Sequence, residues 1–154
     1  MKPDATALRA TIAASEVADV ELEEHAILGT QLRVPAGTAA TLLRCLHDAG
    51  FSYLVDIFGI DTGSDVEVVY FARSFARDEE LRVRMRVPYD SQLTSVFPTF
   101  HAVLYPEREL AEMFGLTLVG HPNPKRLLTS EDEPRPLLRK SVAVRTDEEV
   151  HERD

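Results

Sequence analysis

The sequence has 154 residues, with 17 Lys and Arg against 26 Asp and Glu, and a formal net charge of −9. Its hydrophobic fraction of 44% suffices for one domain's core and excludes wholesale disorder. The acidic balance excludes a non-specific nucleic-acid binder and a polybasic lipid binder, since both need surplus Lys and Arg on one face. Cys45 is the only cysteine. An internal disulfide and a thiolate set for an iron–sulfur cluster or Cys-rich zinc site are therefore excluded.

Residues 5–18 carry Leu8, Ile12 and Val17 at helical spacing and predict an N-terminal helix. Val20 to Glu24 and Ala26 to Val34 read as two short strands. Pro35 to Thr38 punctuates the sequence, and Ala39 to Asp48 follows as a helix with Leu42, Leu43 and Leu46 on one face and Gly50 as its stop. Cys45 lies on this helix and reads as a small buried hydrophobe.

Tyr53 to Ile60, Val66 to Arg73 and Glu80 to Val87 are β-rich, with hairpin connections at Asp61–Ser64 and Arg77–Glu79. The third stretch alternates Leu81, Val83, Met85 and Val87 with Arg82, Arg84 and Arg86, which predicts a half-buried strand with one basic face. Asp90 to Leu93 is expected to open a short helix or turn.

Pro106 to Phe114 reads as a helix with Pro in its first turn, Glu107 and Glu109 where the helix dipole favours anions, and Gly115 just past its end. Arg108 and Glu112, at i and i+4, are expected to pair. Leu116 to Val119 could add a strand. Beyond it, residues 121–140 are rich in proline and carry Lys125, Arg126, Arg135, Arg139 and Lys140. Such an extended segment has few internal hydrogen bonds and is expected to need another surface to become ordered. The expected organisation is an N-terminal helical segment (1–19), a core domain (20–120), an extended basic docking arm (121–145) and an acidic, disordered tail (146–154). The fold class is α+β: a mostly antiparallel sheet with helices packed on one face, plus an extended Pro-rich C-terminal arm.

The inventory for chemistry is thin. None of the five histidines stands in an HxxxH or HExxH arrangement. No glycine-rich phosphate loop or serine nucleophile elbow occurs, and Glu107 and Glu109 point to different sides of their helix. The N-terminus does not read as a secretory signal, and no window approaches the roughly 18 unbroken apolar residues of a membrane span.

One region is more specific. Tyr105-Pro106-Glu107-Arg108-Glu109-Leu110-Ala111-Glu112-Met113-Phe114-Gly115-Leu116, followed by Gly120-His121-Pro122-Asn123-Pro124-Lys125-Arg126-Leu127-Leu128, resembles the signature of the 30 kDa subunit family of respiratory NADH–quinone oxidoreductase, complex I. Glu131-Asp132 and Leu138-Arg139-Lys140 resemble later elements of the family, and Ser95-Val96-Phe97-Pro98 fits the order before the helix. The likeness spans about residues 20–140. It implies a subunit with no cofactor or chemistry of its own, held peripherally on the cytoplasmic side of the cell membrane by its partners. Those partners are a large, hydrogenase-large-like subunit and a small iron–sulfur subunit, next to the quinone-reducing site; flavin, iron–sulfur clusters and quinone belong to the other subunits.

The resemblance further implies that Glu107, Arg108, Glu109, Phe114, Gly115, Gly120, His121, Pro122 and Arg126 fix a helix–strand–arm unit. Lys125, Arg126, Arg139 and Lys140 are expected to reach acidic or carbonyl groups on the large subunit, with Phe114 and Gly115 serving local packing and helix termination. The family's tryptophan and second Gly-His are missing from the stretch Glu131 to Ser141. That departure leans towards the equivalent subunit of a membrane-bound [NiFe] hydrogenase. Rival readings are a free-standing binding module and a small enzyme using His121 with Glu107 or Glu109 as acid and base.

Overall fold

A computed structural model describes residues 2–130, 132 and 136–142. The predicted acidic tail at 146–154, with Glu131 and residues 133–135 and 143–145 of the arm, lies outside the described residues.

Helix α1 spans Ala5–Ala14 and is capped by Asp4, whose carboxylate accepts the Thr6 N–H at 2.9 Å. It ends before residue 18 because Glu16 and Asp19 both take positive φ. Strands β1 (Glu21–His25) and β2 (Gly29–Arg33) form a hairpin, and α2 occupies Ala39–Asp48 as its leucine spacing predicts. Strands β3 (Tyr53–Asp61), β4 (Asp65–Ser74) and β5 (Glu79–Pro88) are joined by turns at Gly63 and Asp78, both with positive φ.

The five strands lie in the order β1-β2-β5-β4-β3, with every pair antiparallel except β2 and β5. One face is apolar across the sheet: Leu32, Val83, Tyr70 and Ile57 occupy one cross-strand row and are buried. Leu42, Leu43 and Leu46 of α2 are fully buried in the same core. The arginines of β5 are neutralised on the other face. Arg84 pairs with Glu67 at 2.6 Å and donates to Gln31, while the Arg82 guanidinium lies 4.2 Å from the Phe71 ring centroid.

Of the short helix or turn expected at Asp90 to Leu93, the turn forms, and it leads into a strand. Asp90 turns with φ +57°, and β6 (Gln92–Thr94) runs parallel to β7 (Thr117–Val119) in a separate two-stranded sheet. Helix α3 (Pro106–Phe114) lies between these two strands in sequence and packs against β3. The Phe114 ring covers Gly59, where an added Cβ would stand 2.5 Å from Phe114 Cε2. Gly59→Ala must displace the helix or the ring, and is expected to cost about 1–2 kcal/mol in urea unfolding. An unchanged midpoint would refute this packing.

Candidate functional site

Consecutive helical residues are about 100° apart, so Glu107, Arg108 and Glu109 fan out into three environments. Glu107 turns inward and is fully buried. Its Oε1 accepts from the Val96 N–H at 2.8 Å and the Tyr70 hydroxyl at 3.2 Å, while Oε2 accepts from the Ser95 hydroxyl at 2.5 Å. One carboxylate thus joins β4, the segment after β6, and α3. Burial raises its pKa, partly offset by the hydrogen bonds from Ser95, Val96 and Tyr70. The same burial, with the neighbouring Glu107, pushes the Tyr70 phenol well above its ordinary value.

Arg108 turns to the arm. Its Nε donates to the Lys125 carbonyl at 2.8 Å and its Nη2 to the Arg126 carbonyl at 2.7 Å. One turn later, Glu112 takes the opposite groups of the same segment: its carboxylate accepts the N–H groups of Leu127 (2.6 Å), Leu128 (3.0 Å) and Thr129 (2.7 Å), and the Thr129 hydroxyl. Burial alone would raise the Glu112 pKa, but these four donors outweigh it and hold it down to about 2. Arg108 and Glu112 therefore do not serve as an ion pair with each other, as their spacing suggested. They form a clamp that reads the arm's backbone, carbonyls on one side chain and amides on the other.

The arm thus has partners within this protein, where the sequence led to the expectation of few internal hydrogen bonds. From Lys125 to Thr129, two carbonyls and three N–H groups of its backbone are bonded by α3; Lys125 and Leu128 are exposed, while Leu127 and Thr129 are half-buried. Lys125 is exposed, and Arg126 lies with its Nε 3.8 Å from Glu112 Oε1.

His121 starts the arm. It is buried, and its two ring nitrogens meet the Leu104 carbonyl (Nε2, 3.1 Å) and the Asn123 N–H (Nδ1, 3.1 Å). A neutral ring protonated at Nε2 satisfies both. Gly120, just before it, takes φ +78°, and Pro122 just after it is exposed. With Glu107 sealed from solvent and both His121 nitrogens engaged, the acid/base pairing weighed from sequence finds no accessible proton-transfer group here. Glu109 turns outward, away from both.

A second anchor holds residues 136–142. Arg139 is buried, and correction is needed here too, because its guanidinium is engaged within this protein instead of reaching outward. Its Nε donates to the Phe114 carbonyl at 2.8 Å and its Nη2 to the Gly115 carbonyl at 3.2 Å and the Asp90 carboxylate at 2.9 Å. It therefore caps the last carbonyls of α3 with a cation, where the helix dipole is negative. The same guanidinium lies 4.2 Å from the Tyr89 ring centroid. Gly115 makes this possible: it takes φ +67°, and a Cβ there would stand 2.7 Å from Arg139 Nη2. Asp61, at the end of β3, accepts from the Tyr89 hydroxyl and from the Lys140 N–H at 2.7 Å, and these bonds lower its pKa. The Lys140 side chain is exposed.

Sequence reasoning singled out Glu112 but assigned it the wrong partner, and it missed Asp61, Tyr70, Tyr89, Asp90 and Ser95. Ser95 carried a signal, since it opens the motif Ser95-Val96-Phe97-Pro98 that Glu107 grips. Among the described residues no group of three His, Cys, Asp or Glu side chains is placed to hold a metal ion, and no helix is long and apolar enough to cross a membrane.

Comparison with known proteins bears on this unit directly. The sequence is 33% identical over 141 residues to a C-type NADH-quinone oxidoreductase subunit of Phenylobacterium zucineum (strain HLK1), covering 86% of this chain and 66% of that one. It is 32% identical over 109 residues to a fused C/D-type NADH-quinone oxidoreductase subunit of Bdellovibrio bacteriovorus, of which the matched part is 20%. The match thus spans about two thirds of the first relative's length and a fifth of the second's. Among solved structures, the trypsin-resistant fragment of Nqo5 superposes with a TM-score of 0.65 at 24% identity, over 76% of this chain and 98% of that fragment. A component of an archaeal membrane-bound sulfane sulfur reductase gives the same TM-score of 0.65 at 20% identity, over 74% of this chain and 69% of that one. Both share the fold. The model of the respiratory-chain NADH dehydrogenase 30 kDa subunit matches residues 32–148, a span that takes in α2, strands β3 to β7, α3 and both arm anchors, and the protein belongs to that family.

Proposed function

We propose that this protein is a structural subunit of a complex-I-like redox assembly, with no cofactor of its own, docking on the large subunit beside the small iron–sulfur subunit. The observation that carries the reading is the clamped arm. Arg108 and Glu112 hold its backbone by hydrogen bonds to main-chain atoms, so Lys125 and Leu128 are presented outward at little further ordering cost. Leu128, Leu137 and Leu138 are exposed on it, beside Lys125 and Lys140. Such preorganised apolar and cationic side chains suit a protein interface better than a small-molecule site. The fused C/D relative supports the large subunit as partner, since the part of it that matches is covalently continuous with the rest of that polypeptide.

Purification of the full-length protein from its native membranes tests this. The expected result is a large and a small iron–sulfur subunit in stoichiometric amount; a lone monomer would overturn it. A second reading, the equivalent subunit of a membrane-bound [NiFe] hydrogenase, is favoured by the missing tryptophan between Glu131 and Ser141. A co-purifying flavin-bearing, NADH-oxidising subunit selects the first reading. A large subunit with two CxxC metal-binding pairs selects the second.

A further inference from the structure

On the side of α3 away from the clamp lies a groove of about 280 Å³ between the helix and β3. Its floor is apolar, with the buried Leu110 and Met113, and the exposed Leu138 of the arm and Phe58 stand at its edge. Two exposed carboxylates, Asp56 and Glu109, belong to its lining, and no Lys or Arg does. β3 is the last strand of its sheet, so one flank of the groove is a sheet edge. Beyond that edge the apolar surface continues onto the opposite face of the sheet: Phe58 is 39% and Ile60 45% exposed. Exposed apolar side chains continuous with a groove whose charged lining is of one sign suit an interaction site. Nor does the geometry favour strand addition, because the register of β3 is broken by a bulge between Leu54 and Asp56, a device that blunts sheet edges.

We infer that this groove seats a protein segment of the large subunit in which an apolar side chain is flanked by Arg or Lys. The apolar side chain enters between Leu110, Met113 and Leu138, and the cation lies against Asp56 and Glu109. The inference rests on the assembly reading above and adds a contact of the opposite polarity to the arm's. The arm offers cations outward and the groove offers carboxylates, so the two faces of α3 together distinguish a correctly oriented partner from a reversed one.

The test uses the full-length protein co-expressed with its large and small iron–sulfur subunits. A photo-crosslinking phenylalanine analogue replaces Glu109 in one preparation and Arg44, exposed on α2, in a control. Crosslinks from position 109 are expected on a peptide of the large subunit with Arg or Lys within two residues of a large apolar side chain. The double variant Asp56→Lys with Glu109→Lys is expected to weaken capture of the large subunit about tenfold at low salt. Crosslinks from 109 to a second copy or to an acidic peptide would overturn the inference; a crosslink to Leu138 of the protein's own arm, which lines the same groove, is expected in either case. So would capture that the double variant leaves unchanged. If the unmodified protein captures neither subunit, the assembly reading itself fails and the groove proposal falls with it. Capture with a silent position 109 removes the groove proposal alone.

Discussion

Glu107→Ala is expected to cost the protein about 3–4 kcal/mol, read as a fall of about 1.5–2 M in the urea midpoint. The substitution removes one acceptor and orphans three donors in a place water does not reach: the Val96 N–H, the Tyr70 hydroxyl and the Ser95 hydroxyl. Hydroxyls can rotate towards other acceptors, but the Val96 N–H is fixed by the backbone. A cavity adds to the loss, while relief from burying a carboxylate offsets part of it. Against a typical stability of about 5–15 kcal/mol, the loss is large. Glu107→Gln separates the hydrogen bonds from the charge. With its oxygen at the Oε1 position it still serves Val96 and Tyr70, and its amide nitrogen donates to Ser95 Oγ. The Ser95 oxygen already accepts from the Phe97 N–H at 3.1 Å, so only the serine proton loses its partner. A loss of about 1 kcal/mol is expected. Equal losses for the two variants would contradict the network.

The pH dependence of that pair follows from the direction of the Glu107 shift. Its carboxyl has a higher pKa folded than unfolded, so the folded state binds more protons in the window above the ordinary value of 4.5. Stability contributed by this group therefore falls as pH rises through the folded pKa. Glutamine has no such titration. The deficit of Glu107→Gln should shrink between pH 4.5 and neutrality, and a deficit that widened would contradict the assignment.

Much of the scaffold was legible because local rules determine it. Helices α2 and α3 begin and end where leucine spacing, the proline at the first turn of α3 and the glycines past each end place them. The three long strands formed where β-rich composition placed them, the third with the alternation its sequence showed, and Gly63 marked the first turn between them. Apart from the early end of α1, which local backbone conformation sets, the errors share one cause: they concern partners distant in sequence. β6 has three residues and exists only because β7, more than twenty residues later, lies parallel to it, so no periodicity could reveal it. Arg108 and Glu112 obey the helical pairing rule, yet each meets better-placed backbone groups of the arm. An exposed pair on a helix is worth about 0.3–0.5 kcal/mol, less than charge-assisted bonds to preformed backbone groups. Arg139 looked like a surface cation in a proline-rich run. The open carbonyls of Phe114 and Gly115, which a glycine C-cap leaves available, draw it inward.

Glu112→Gln is expected to release the arm, with about 2–3 kcal/mol lost locally and a rise of roughly 30- to 150-fold in the rate of tryptic cleavage after Lys125 or Arg126. Cleavage there requires the segment to leave α3, and the carboxylate holds it by three backbone N–H groups and the Thr129 hydroxyl. An amide presents one oxygen in place of two and turns an NH2 group towards donors, so at least one N–H is left facing another donor. Acid should mimic the substitution. With a folded pKa of about 2 against an ordinary 4.5, the carboxylate's contribution is complete above pH 4.5 and fades as pH falls towards 2. An acid-stable protease such as pepsin should therefore reach residues 125–129 of the parent increasingly as pH drops from 4.5 to 2. In Glu112→Gln the same sites should be open throughout that range. Glu107 does not confuse the reading, because its folded pKa is raised and its titration lies above this window. Global unfolding would open the β3–β4 hairpin as well, so protection there, while the arm is cut, identifies local release. A parent protein whose arm is cut as readily as the variant's at neutral pH would mean that the clamp does not hold the arm in solution. The docking surface would then have to be built by the partner and not by α3.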